Sequence, residues 1–196
     1  MQLKRFIVPI LAATLLLLSD AVYADFESEV IERVNAERAA AGIPPLGYNA
    51  ELTAAARLHA RDMADSNYFS HDSLDGTRFF ERILEAGYDY AACGENIAAG
   101  YANPHEVVDA WMDSDGHREN ILDPDFCEIG VGYAYVAEST YKHYWTQDFG
   151  RKSGVTQCPD TIVPPPGSRG SASSGDDGSG GCFIDTNRIH SKEALR

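Results

Sequence analysis

Hydrophobic residues recur at helical spacing through the first half of the chain and alternate with polar ones in the second. Val30, Ile31 and Val34 form one apolar stripe. Asp25 is placed to cap it, and Gly42 followed by Pro44 and Pro45 to stop it. Leu52, Ala56, His59 and Met63 form a second stripe behind Asn49, a good N-cap residue. A third helix is expected from Thr77 to Ala86, ended by Gly87. "NPHEVVDAWM" opens a fourth. Asn103 caps it, Pro104 takes the first turn, Glu106 has capping-box spacing, and Val107, Val108 and Trp111 face inward.

The period then changes. "EIGVGYAYV" (Glu128 to Val136) and "KHYWTQDFG" (Lys142 to Gly150) alternate and are rich in Val, Tyr, Trp and Thr. The short "AEST" between them predicts an antiparallel hairpin. Helices first and a hairpin last give an α+β class, with helices covering an antiparallel sheet.

Two ends of the chain depart from this texture. Met1 to Ala24 reads as a secretory leader, with Lys4 and Arg5 before the apolar run Phe6–Leu18 and "VYA" at the cleavage side. That run is shorter than the roughly 20 residues of a membrane span, so no stable span is expected after cleavage. Loss of Lys4, Arg5 and Asp20 with the leader moves the net charge from −14 to −15. Such a chain repels nucleic acid and anionic membranes and favours cationic partners or metal ions. After Cys158, "PPPGSRGSASSGDDGSGG" has too little apolar content to offset ordering entropy. The expected organisation is a leader at 1–24, one domain at 25–158, a flexible linker at 159–181 and a short tail at 182–196.

Four cysteines, Cys93, Cys127, Cys158 and Cys182, suit disulfides in an exported chain. None forms a CxxC pair, which argues against a zinc ribbon or a thioredoxin-type site.

Three segments carry ionisable side chains beside Gly, Ser or Asn: "NYFSHDS" with His71, "CGENIA" with Glu95, and "DSDGHREN" with His117. Each reads as a turn, where functional groups are often displayed. Two imidazoles and a carboxylate suit zinc or a similar ion, and also acid–base work. Their separation in sequence does not bring them together. On spacing alone the plainer reading is favoured: a solvated loop histidine and two caps.

Six segments in order shift that balance. "VNAERAAAGIPPL", "LHARDMADSNYFSH", "CGENIAAGY", "AWMDSDGHRENIL", "EIGVGYA" and "YWTQDFG" together resemble a bacterial member of the CAP superfamily, also called the SCP domain. The resemblance spans about Glu27 to Gly150. It implies an α–β–α sandwich with a central antiparallel sheet, and a cleft lined by two histidines and acids. By motif these are His71, His117 and Glu95, with Asn96 beside them. Some relatives bind zinc or another divalent cation between the histidines. The position of a second acid holds Ser114 here, flanked by Asp113 and Asp115. Either an aspartate substitutes or the site lacks that acid. The resemblance also places Cys93 and Cys127 before segments of one central region, which suggests that they pair. Cys158 and Cys182 then pair across the linker or stay separate.

Other motifs fall short. "HEVVD" at His105 to Asp109 misses the zincin pattern at its last position, no GxSxG occurs, and no EF-hand spacing is present. His59 reads as a packed structural histidine, and the tail "GSGGCFIDT" carries no assigned role. The resemblance implies a secreted or envelope-located monomer that binds a small-molecule, lipid or peptide ligand, and a non-enzyme in preference to an enzyme. One alternative is a metal-dependent, peptidase-like hydrolase in which a cation at His71 and His117 activates water and Glu95 is the general base. Another is a structural envelope protein with a vestigial cleft.

Overall fold

The computed structural model describes residues 25–159 and 162–167, so the expected leader and the tail bearing Cys182 lie outside the described residues. In chain order the elements are α1 (25–40), β1 (Gly47–Tyr48), α2 (Ala50–Asp65), α3 (Phe79–Glu85), β2 (Tyr90–Ala99), α4 (Pro104–Asp113), α5 (Asp115–Ile121), β3 (Glu128–Tyr135) and β4 (His143–Lys152). No helix among the described residues is long and apolar enough to cross a membrane.

The caps read from the sequence are in place. Asn49 accepts from the backbone of Glu51 and Leu52, at 2.9 and 3.0 Å, and Asn103 accepts from Glu106 at 3.0 Å. The third helix is shorter than expected, starting after Arg78. "DSDGHREN" is a helix, α5, with Ser114 at its N-cap.

The four strands run in the order β1-β3-β4-β2. The β3–β4 hairpin and the β4–β2 ladder are antiparallel, while the two-residue β1 pairs parallel to β3 at the edge. The sheet is therefore mixed rather than wholly antiparallel. At the opposite edge, "CGENIA" lies within β2, a ten-residue strand, where the sequence predicts a turn.

Alternation along the strands splits the core into two layers. Ile129, Val131, Tyr133, Trp145 and Phe149 pack with Val30, Ile31 and Val34 of α1 and with Val107, Val108 and Trp111 of α4. On the other face Ala60, Met63 and Ala64 of α2 meet Ile97, Ala134 and Tyr144, while Leu52 and Ala55 meet Ile83 and Tyr88. The result is the expected α–β–α sandwich. Gly130 and Gly132 explain how closely α2 sits on β3. A Cβ on Gly130 would lie 2.1 Å from the backbone nitrogen of Thr53, and one on Gly132 would lie 2.3 Å from the backbone of Ala56 and Arg57. Only glycine allows that approach.

Cys127 is bonded to Cys158, and Cys93 is a free thiol, which corrects the expected Cys93–Cys127 pair. The reason is register. Cys93 on β2 and Glu128 on β3 both face Gly150, from opposite sides of β4. Two strand spacings of about 4.8 Å separate them, beyond the roughly 7 Å Cα reach of a disulfide. The docked chain also extends past the expected boundary at 158. Tyr48 donates its backbone N–H to Val163 O at 2.7 Å, Ser28 Oγ donates to Pro166 O at 2.8 Å, and Pro165 is buried. The open side of β1 offers backbone groups that this segment pairs.

Candidate functional site

Consecutive residues of β2 serve the two faces of the sheet. Glu95 turns toward the layer of α2 and α3, and Asn96 turns toward α5. His71 reaches Glu95 from the loop after α2, with His71 Nδ1 2.7 Å from Glu95 Oε1. Arg82 of α3 donates to Glu95 Oε2 at 2.8 Å. The same guanidinium donates to His71 O at 2.8 Å and Thr77 O at 3.1 Å, drawing the loop down onto the strand. Glu95 is buried, with 1% of its side chain exposed, whereas His71 keeps 22%.

Burial alone would raise the Glu95 pKa. The hydrogen bond from His71 and the charges of His59, Arg82 and His71 outweigh it and hold the carboxyl below its usual range. An ionised carboxylate only accepts hydrogen bonds, so the proton in this contact sits on His71 Nδ1. In neutral His71, Nε2 then carries the free lone pair.

His117 approaches from the other side on α5. Asn96 Nδ2 donates to His117 O at 3.1 Å, Asn120 Nδ2 donates to Asn96 Oδ1 at 2.9 Å, and Arg38 Nη1 donates to Ile121 O at 2.8 Å. These bonds tie α5 to β2 and α1. Buried Arg38, its pKa pushed down to about 10 by burial, spends its donors on backbone carbonyls. His117 is pushed down to about 4 by burial and by the neighbouring charge of His71, so it is neutral at ordinary pH. Phe69, Ile97, Ala99, Tyr101, Ala110 and Trp111 wall a hollow beside it with room for about one water molecule.

The structure thus brings His71, Glu95, Asn96 and His117 to one edge of the sheet. The expected aspartates do not join them. Asp113 and Asp115 are exposed, and Asp115 pairs with Arg118 at 2.5 Å; Ser114 stands at the N-cap position of α5 without a side-chain capping bond. The second acid lies elsewhere. Asp148 faces Glu95 across the β2–β4 ladder and is 2% exposed. Burial, the Glu95 charge and a hydrogen bond with Glu95 raise its pKa well above the ordinary range, against the pull of Arg82. One sequence signal points there: an aspartate inside the alternating "YWTQDFG" strand, at a position that must face inward.

Glu95 does not fit the general-base role either. Both its oxygens are engaged, by His71 and Arg82, leaving it the role of orienting an imidazole. Imidazole nitrogens suit zinc and similar cations, and a carboxylate behind the histidine is the usual supporting partner. Among the described residues no group of three or more His, Cys, Asp or Glu is arranged to hold a metal ion. Two imidazoles are fewer than the four ligands of a closed structural site.

Residues 31–149 match the profile of CAP, the cysteine-rich secretory protein family. The chain belongs to this family. Its CAP domain is 44% identical over 124 residues to the uncharacterised protein YkwD of Bacillus subtilis, covering 63% of this chain and 46% of that one. It is 32% identical over 123 residues to the uncharacterised membrane protein YlbC of the same organism, covering 63% and 34%. The chain therefore spans less than half the length of these curated relatives. A solved extracellular SCP-domain protein from Bacillus anthracis is similar at a TM-score of 0.59 and 31% identity, over 65% of this chain and 41% of that one. An outer surface protein from Borrelia burgdorferi shares the fold at a TM-score of 0.57 and 21% identity, over 62% and 89%.

Proposed function

We propose that this CAP domain is an exported binding module whose recognition centre is the pair of imidazoles His71 and His117 at the outer edge of β2. The observation that carries this reading is the locked His71–Glu95–Arg82 arrangement. It engages His71 at Nδ1 and turns Nε2 away from the carboxylate, near a second, neutral histidine. Such a pair takes a divalent cation weakly, or hydrogen-bonds a small or peptidic ligand that lies across the edge of β2. The commitment of both Glu95 oxygens favours binding over hydrolysis, since the general base that a hydrolase would need is occupied. Export is supported by the leader-like Met1 to Ala24 and by the likeness to an extracellular protein at 31% identity.

Calorimetric titration of zinc into the purified chain and into H71A and H117A tests this. One weak site in the parent, lost in both variants, is the expected result. A peptide library screened alongside separates binding from turnover. Zinc-dependent cleavage abolished in both variants would replace the binding module by a hydrolase, and an absence of zinc binding in the parent would remove the cation.

A further inference from the structure

We propose that Asp148 is the positioning residue of this cleft: facing Glu95 across the ladder, it hydrogen-bonds the carboxylate that orients His71. The inference deepens the binding reading and rests on His71 as a cleft residue.

Ladder geometry supports it first. Gly100 N donates to His143 O, so the even residues of β2 exchange bonds with β4. The odd residues turn their carbonyls off the edge. Glu95 O accepts from Asn120 Nδ2 at 3.3 Å, and Ile97 O accepts from Trp111 Nε1 at 3.3 Å. Glu95 and Asp148 therefore form a non-hydrogen-bonded cross-strand pair, the kind in which facing side chains come closest.

Hydrogen-bond capacity supports it next. Two ionised carboxylates have no proton between them and repel. Glu95 is committed as acceptor to His71 and Arg82, so the shared proton belongs to Asp148. Burial and the Glu95 charge favour the same assignment, with Arg82 as the opposing charge. The other Asp148 oxygen, Oδ1, is buried without a described partner, and Asp148 makes no described ion pair. Glu95 is the side chain that faces it directly across the ladder. A neutral Asp148 that donates to Glu95 narrows the rotamers open to that carboxylate, and through it the ring orientation of His71.

Three forms of the full chain test this without any ligand: the parent, D148N and D148A. Asparagine keeps the size and an N–H donor; alanine removes the donor. Imidazole ¹⁵N spectra should show one sharp set of His71 resonances in the parent and in D148N, and shifted, broadened ones from several ring orientations in D148A. Zinc affinity should hold in D148N and fall about tenfold or more in D148A, as for loss of other outer-shell partners. An unchanged His71 spectrum in D148A overturns the proposal, as does a D148N as perturbed as D148A. Should D148A not fold, the carboxyl ¹³C shifts of the parent decide: Asp148 neutral while Glu95 is ionised at neutral pH supports the assignment, and an ionised Asp148 refutes it. A parent that binds no zinc leaves the His71 and carboxyl spectra as the deciding readouts.

Discussion

His71 Nδ1 stands 2.7 Å from Glu95 Oε1, and Arg82 holds the second oxygen of the same buried carboxylate at 2.8 Å. Removing Arg82 leaves Glu95 charged, buried and short of a partner. R82M should therefore cost about 3–5 kcal/mol, the usual penalty for breaking a buried pair from one side. Urea unfolding at pH 7 measures it. A loss under about 1 kcal/mol would mean that solvent already screens this pair.

The two carboxyls of the cleft predict opposite pH limbs. Glu95 has a lowered folded pKa, so it contributes stability above the unfolded value of about 4.3, which is lost as pH falls through the lower folded value. E95Q should flatten part of the acid unfolding limb. Asp148 has a raised folded pKa, so the native state binds more protons than the unfolded state once pH passes about 3.8–3.9. Its contribution is full below that point and declines as pH rises toward the folded value. The stability of D148N relative to the parent should therefore grow as pH rises from about 4. A constant difference between pH 3 and pH 7 would contradict this.

Glycine at 130 and 132 is a packing requirement. G132A puts a methyl group 2.3 Å from the α2 backbone, where no flexible side chain can yield. A loss of about 3 kcal/mol or more, at the upper end of overpacking costs, is expected in thermal or urea unfolding. Wild-type-like stability would show that α2 does not rest on β3 this closely.

Much of the fold is legible in the sequence because its signals are local. Asn49 and Asn103 announce α2 and α4 through capping chemistry confined to one turn, and the stripes behind them have the helical period. β2 is hidden because Gly94 to Ala98 are buried on both faces and include Gly94 and Asn96, so it shows neither alternation nor a continuous apolar run. Missing it conceals the rest. Without β2 there is no register to set Glu95 against Asp148 or to separate Cys93 from Cys127. The second acid is then sought beside Ser114, where only sequence proximity points. Motif order does reach His71, Glu95 and His117, since it reports the whole arrangement at once.

The disulfide correction has a direct chemical test. Peptide mapping without reductant should find Cys127 linked to Cys158. Cys93, half-buried and with its thiol pushed up to about 12 mainly by desolvation, should react slowly with thiol reagents until the chain unfolds. C158S should lose about 2–4 kcal/mol of stability relative to the oxidised parent. A Cys93–Cys127 peptide would refute the strand order on which the site depends.

The most direct test of the two-imidazole cleft is long-range ¹H–¹⁵N spectroscopy of the histidine rings during a zinc titration at pH 7. Before zinc, His71 should be protonated at Nδ1 and His117 should be neutral. On addition, resonances of both rings should shift together and to the same end point, while those of His105 stay in place. Shifts confined to one of the two rings, or equal shifts at His105, would contradict a shared site at the edge of β2.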